Sequence, residues 1–101
     1  MKIVWSPLAL ERLGEITDYI ALDNPMAAEK WVNDVFDRTL LLENFPYQGR
    51  VVPEVNRPDA REVFFKKYRI IYRVANDEVS ILTVRHGMQI LPVDEILINE
   101  T

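Results

Sequence analysis

The spacing of apolar residues changes period along this chain, and the changes mark its elements. Met1 to Trp5 is short and apolar-rich and reads as a strand. Ala9, Leu13, Ile16 and Ile20 then recur at steps of four, three and four, which places them on one face of a helix over residues 7–22. Glu11, Glu15 and Asp18 fall on its other faces. Ser6 suits the N-cap and Pro7 the first helical position, where a missing N–H costs nothing. Asn24-Pro25 repeats that punctuation, and Ala28, Val32, Val35, Thr39 and Leu42 form the stripe of a second helix ending near Glu43. Two helices joined this closely predict an antiparallel hairpin.

From Phe45 to Asp59 the chain holds three prolines and a glycine, the signature of a connecting loop. Three strands follow, at Arg61–Lys66, Tyr68–Ala75 and Val79–His86, with Asn76-Asp77-Glu78 turning between the last two. Residues 90–98 are apolar enough to pack or to pair. The order β-α-α-β-β-β predicts an α+β fold, with the helix hairpin covering one sheet face and the other face free. In the central strand, Tyr68, Ile70, Tyr72 and Val74 share one side, and Arg69, Ile71 and Arg73 the other. Both sides carry apolar bulk, so alternation alone leaves the core face open.

Composition narrows the function classes. The chain has 101 residues, 49% of them hydrophobic, which suits one domain over 1–101 with residues 90–101 as a C-terminal tail. Without cysteine there is no disulfide, thiolate nucleophile or cysteine-based zinc site, and a single histidine cannot build a metal centre. No cofactor is expected. No apolar run approaches the roughly 18 residues of a spanning helix, so the expectation is a soluble, cytoplasmic protein.

The net charge of −4 is unevenly spread. Residues 1–56 are rich in acids, whereas residues 57–86 carry Arg57, Arg61, Lys66, Lys67, Arg69, Arg73 and Arg85 against Asp59, Glu62, Asp77 and Glu78. A protein that grips nucleic acid over its whole surface is basic, because phosphate neutralisation supplies most of the affinity. This chain offers at most a local cationic patch, suited to an acidic protein segment or a short stretch of RNA.

Arg61, Arg69, Arg73 and Arg85 are the candidate binding residues. Arg69 and Arg73 share a strand face, where two guanidinium groups clamp a phosphate or take carboxylates bidentately. The plainer reading is a solvated face, or pairing with Glu62 on the neighbouring strand. His86 is the only side chain whose ordinary pKa lies near neutrality, and a role as a satisfied strand-end histidine stands equally beside a functional one. Trp5, Trp31 and Phe36 read as packing residues or partner surface.

Four segments carry a family resemblance: Asn24-Pro25-Met26-Ala27-Ala28, Phe45-Pro46-Tyr47-Gln48-Gly49-Arg50, Tyr68-Arg69-Ile70-Ile71-Tyr72-Arg73-Val74, and Val84-Arg85-His86-Gly87. Together they resemble the RelE/ParE superfamily of toxins from bacterial toxin–antitoxin modules, over Trp5 to about Pro92. The longer likeness is to the ParE branch, through Arg61-Glu62 and through His86 followed by Leu91-Pro92. It implies a poison of DNA gyrase, neutralised by a cognate antitoxin that folds over the sheet and hairpin. Where many relatives carry arginines after the histidine, Met88 and Gln89 stand here.

A shorter likeness is to the ribosome-dependent mRNA endonucleases of the RelE and YoeB type. Met1 to Ser6 resembles the YoeB start, and Gly49-Arg50-Val51-Val52-Pro53-Glu54 the segment holding its catalytic glutamate. That alignment implies Glu54 as general base and Arg69 as the phosphate-stabilising arginine, with His86 in the catalytic set. His86 is slightly out of register, and the terminal tyrosine has no counterpart. A third alternative is a non-toxic interaction module or corepressor. The homodimer and the toxin–antitoxin hetero-oligomer both stay open.

Overall fold

The computed structural model describes residues 1–97. Strand β1 (Lys2–Trp5) leads into helix α1 (Pro7–Asp23) and helix α2 (Pro25–Leu40), which continues as a 3₁₀ turn over Leu41–Glu43. Strands β2 (Arg50–Val51), β3 (Ala60–Phe65), β4 (Tyr68–Ala75) and β5 (Glu78–His86) follow, and a helical turn, α3 (Asp94–Leu97), ends the described chain.

Both helix starts form as their sequences predict. The Ala9 amide donates to Ser6 Oγ at 3.0 Å, and Pro7 occupies the first turn. Asn24 serves two helices at once. Its backbone N–H donates to the Ile20 carbonyl at 3.0 Å and closes α1, while its Oδ1 accepts from the Ala27 amide at 3.1 Å and opens α2. The hairpin therefore turns on one residue, which sets the two helices side by side.

The sheet has five strands in the order β1-β5-β4-β3-β2, with β1 parallel to β5 and the others antiparallel. The predicted three-strand meander is its centre. Two features extend it: β1 docks beside Glu78–Ile81, and the stretch expected to be plain loop contributes β2, paired to β3 only at Glu62 and Arg61. Two residues are too few to leave a periodic signal. The β4–β5 hairpin turns at Asn76 and Asp77, which both adopt positive φ (55° and 59°), as a two-residue I′ turn requires.

The principal core lies between helices and sheet. Ala9, Leu13, Trp31, Val35 and Leu42 meet Val63, Ile70, Tyr72, Val74, Val79, Ile81 and Val84 there. The even positions of β4 thus face the helices. The opposite sheet face is not free, contrary to the expectation from element order. Val52, Ala60, Ile71, Leu82, Leu91 and Ile96 build a second apolar cluster on it, supplied by the 52–60 segment and the C-terminal turn. Ile71 supplied the apolar bulk that made β4 ambiguous, because each side of this strand has a core. The apolar tail packs through Leu91 and Ile96, and residues 98–101 lie outside the described region.

One irregularity decides which side chains meet. Tyr72 pairs with Ile81 but Ile71 pairs with Thr83, so Leu82 is an extra residue in β5. Such a bulge reverses the alternation beyond it. Val84 consequently enters the main core, Arg85 lies opposite Arg69, and His86 lies opposite Tyr68.

Candidate functional site

Three side-chain groups hold the residues singled out from sequence. The first is an ion-pair chain on the sheet face away from the helices. Arg69 Nε donates to Glu62 Oε1 at 2.6 Å, and Arg50 Nε donates to the other oxygen, Oε2, also at 2.6 Å. The far edge of the Arg69 guanidinium meets Glu54 with both oxygens, Nη1–Oε2 at 2.8 Å and Nη2–Oε1 at 2.9 Å. Glu62 and Arg69 are buried, at 1% and 6% exposure. Arg69 thus spends Nε and both terminal nitrogens on carboxylates, a bidentate match that lysine cannot reproduce.

The electrostatic consequences follow from that geometry. The hydrogen bond from Arg69 holds the Glu54 carboxyl below its ordinary range, against the upward push of desolvation. Arg69 is held charged chiefly by the hydrogen bond to Glu54 and also by Glu62. A general base near neutrality needs a raised carboxylate pKa and an oxygen facing substrate. Glu54 has a lowered one, and its oxygens face Arg69.

The second group lies along the same sheet. Arg73 Nε donates to Asp59 Oδ2 at 3.1 Å, and Arg57 Nη2 reaches the same oxygen at 3.0 Å. Arg61 is differently placed: it donates to the carbonyls of Pro58 (2.8 Å) and Gly49 (3.1 Å) and stacks on Tyr47 at 5.1 Å. The four candidate binding arginines therefore do not form one clamp. Arg69 is occupied inside, Arg73 is paired with Asp59, and Arg61 lies towards β2.

The third group surrounds a cavity of about 430 Å³ between α1 and the end of β5, where β1 no longer covers the sheet edge. Ile16, Tyr19, Tyr68, Val84 and His86 line it, with Arg12, Glu15, Arg85 and Gln89 at its polar side. The His86 ring meets Tyr68 edge-on at 5.5 Å, and its Nδ1 accepts from the Met88 amide at 3.1 Å. Burial raises the Tyr68 phenol pKa. Beside the cavity, buried Glu95 accepts from Thr83 Oγ1 at 2.7 Å and Arg12 Nη2 at 3.2 Å, with Arg85 at 4.0 Å. Desolvation pushes the Glu95 carboxyl up, but Thr83, Arg12 and Arg85 together hold it below the ordinary value.

Glu54 and Arg69 are therefore brought together, whereas His86 is not with them. It pairs with Tyr68 on the helix side of β4, while Arg69 projects from the other side. Uninterrupted alternation along β5 would have put His86 on the Arg69 face, and the bulge at Leu82 turns it over. Arg12, Tyr19, Tyr68 and Glu95 were not singled out from sequence. Their helix, strand and tail positions carry no shared pattern to find. Among the described residues no group of three or more His, Asp or Glu is placed to hold a metal ion, and no helix is long and apolar enough to cross a membrane.

A hairpin over a five-stranded sheet is also the setting in which comparison with known proteins is informative. Residues 3–91 match the sequence profile of the ParE toxin of the type II toxin–antitoxin system parDE. The chain belongs to the ParE toxin family. Relatives of this ParE-family chain include the candidate toxin Y4kP of Sinorhizobium fredii, 37% identical over 93 residues, covering 90% of this chain and 93% of that one. Toxin RelE2 of Caulobacter vibrioides is 30% identical over 89 residues, covering 88% and 98%. Among solved structures, the chromosomal ParDE system of P. aeruginosa aligns with a TM-score of 0.71 and 27% identity, over 85% of this chain and 95% of that one. The α+β fold expected from the element order is that of the ParDE toxin. The relatives carry both ParE and RelE names, so their names leave the target of this ParE-family protein to be argued from the site.

Proposed function

We propose that this ParE-family toxin acts by binding rather than by cleaving, as a poison of DNA gyrase restrained by a cognate antitoxin in the cytoplasm. The observation that carries this reading is the separation of the candidate catalytic groups. General acid–base cleavage of RNA needs its acid and base within hydrogen-bond reach of one phosphate. Here His86 lies across the sheet from Glu54, and Glu54 is clasped by Arg69. A net charge of −4 also suits a protein target better than a polyanion.

The antitoxin fits the cavity between α1 and the open end of β5. Its walls combine apolar Ile16, Tyr68 and Val84 with Gln89 and the Arg12–Glu15 ion pair, the lining that takes an amphipathic segment. The second reading, ribosome-dependent mRNA cleavage, draws on one observation, the contact between Glu54 and Arg69. In the third, an interaction module without toxicity, expression leaves growth unchanged.

The decisive experiment incubates antitoxin-free protein with gyrase, ATP and plasmid DNA. Loss of supercoiling with trapped double-strand cleavage is the expected result. Folded protein without effect on gyrase, but with cleavage of ribosome-bound mRNA, overturns the reading in favour of the endonuclease.

A further inference from the structure

Three cation–aromatic contacts lie along one rim of the sheet. The Arg50 guanidinium sits over the Phe64 ring at 5.3 Å, Arg61 over Tyr47 at 5.1 Å, and Lys66 Nζ over Phe65 at 5.5 Å. Arg50 belongs to β2, Arg61 to β3, and Lys66 to the turn that follows β3. Alternate residues of β3 point to opposite sheet faces, so these groups straddle the rim. Packing leaves several of the rings in solvent. Phe45 is 64% exposed, Tyr47 54% and Phe64 43%, and Phe45 and Tyr47 line one shallow depression with Pro46 and Gln48. Solvated rings grouped in this way and interleaved with cations differ from the singly scattered apolar residues of an ordinary surface.

The charges of this rim are largely unspent. Arg61, Lys66 and Lys67 have no carboxylate partner among the described residues. Arg50 gives only Nε to Glu62, and its terminal nitrogens make no hydrogen bond among the described residues. Of the acids close to Arg50, Glu62 is shared with Arg69 and Glu54 is clasped by it. From Arg61 to Lys66 an extended chain spans about 17 Å at about 3.3 Å per residue. That is the length of about five stacked nucleotides at about 3.4 Å each. Cations interleaved with exposed rings hold a single strand of nucleic acid in two ways at once: phosphates pair with the cations, and bases, which all have a π face, stack on the rings. A duplex keeps its base faces covered, and an acidic peptide has no planar groups to stack. The net charge of −4 confines such binding to this strip.

We propose that the β2–β3 rim, together with the loop over residues 45–48, binds a short single strand of DNA. Its phosphates lie along Arg50, Arg61, Lys66 and Lys67, and its bases stack on Phe45, Tyr47 and Phe64. The choice of DNA rests on the gyrase reading, because a toxin that traps cleaved DNA meets broken DNA ends beside its target. Contact with the DNA and contact with the enzyme then act together, so the cleaved complex is held at two attachments. No side chain here is set to read base edges, and binding is indifferent to sequence.

The test is the fluorescence anisotropy of a labelled (dT)₈ titrated with the full chain over a range of salt, with unlabelled (dT)₈, (rU)₈, a duplex of the same length and a blocked (Glu-Val)₃ peptide as competitors. Saturable binding is expected, with log K falling against log salt at a slope of about −2 to −3, as three or four phosphate contacts require. Lys66→Gln/Lys67→Gln should weaken binding and flatten that slope by about 1.4. Tyr47→Ser should weaken binding about tenfold at an unchanged slope, because it removes stacking and no charge. Both variants change exposed side chains, and an unchanged circular-dichroism spectrum checks their folding. Absence of binding by the folded chain overturns the proposal. Tighter competition by (rU)₈, competition by the duplex or the peptide as strong as by (dT)₈, or variants that bind like the unchanged chain overturn it as well. No gyrase enters this titration, so its failure is separate from failure of the gyrase reading.

Discussion

Arg69 Nε and Glu62 Oε1 lie 2.6 Å apart on the sheet face away from the helices, and the buried pair anchors a chain of ion pairs rather than presenting a free cation. Removing one member of a buried pair leaves the other charge uncompensated, at a typical cost of about 3–5 kcal/mol. Arg69→Ala should therefore lower stability by about 3 kcal/mol, read as a shift in the urea midpoint. Arg69→Met/Glu62→Leu should cost less than the two single changes summed, because the charges left without partners, Glu54 and Arg50, are partly exposed rather than buried. Loss of toxicity in Arg69 variants then reports on folding first.

Gly49 allows the β2 segment to pass against β3 and β4. Its amide donates to the buried Tyr72 hydroxyl at 3.0 Å, and a Cβ there would stand 2.4 Å from the Glu62 carbonyl oxygen and 2.7 Å from that hydroxyl. Gly49→Ala should destabilise by about 1–3 kcal/mol, since backbone crowds the added methyl. Tyr72→Phe should cost about 1–2 kcal/mol by leaving the Gly49 amide unpaired. Thermal unfolding of both variants checks these values.

Acid should loosen the two layers on the far sheet face. Glu54 and Glu95 both sit below the ordinary value of 4.5 when folded. A depressed carboxylate pKa contributes stability that is full above the unfolded value and drains as pH falls through the folded one. Stability should thus hold from neutrality to about pH 4.5 and decline below it. Glu95→Gln should flatten this decline, and urea midpoints across the range measure it.

Asn24 should show its double role in helix content. Asn24→Ala keeps the backbone bond to Ile20 but loses the side-chain cap on Ala27, for about 1 kcal/mol. Asp77→Gly should move stability the other way by a few tenths of a kcal/mol or more, because glycine adopts the left-handed turn conformation without strain. Paired urea titrations of the two variants test opposite signs.

Function and neutralisation should separate by residue. Under the gyrase reading, Glu54→Gln retains trapped gyrase cleavage, because the carboxylate is not a base. Tyr19→Ser leaves the fold intact, since Tyr19 is largely exposed, but weakens antitoxin binding by about tenfold if its ring anchors the cavity. Co-expression with antitoxin should then rescue growth less well than for the unchanged chain.

Local features of this protein were legible in the sequence because they depend on neighbours in the chain. The helix stripes, the Ser6-Pro7 and Asn24-Pro25 starts, the Asn76-Asp77 turn and the three main strands all follow from periodicity, capping and turn stereochemistry. Glu62 was legible as a partner for Arg69, since hairpin strands set their side chains beside each other. Tertiary structure alone decided the rest. Glu54 reaches Arg69 from 15 positions away through a proline-rich segment with no period. Leu91 and Ile96 cover a sheet face that element order left open, because an apolar tail specifies burial but not a destination. His86 faces the helices because one extra residue, Leu82, reverses alternation in β5. Such a bulge is set by packing on both sides of the sheet, and period-two reading, which assumes unbroken pairing, cannot place it.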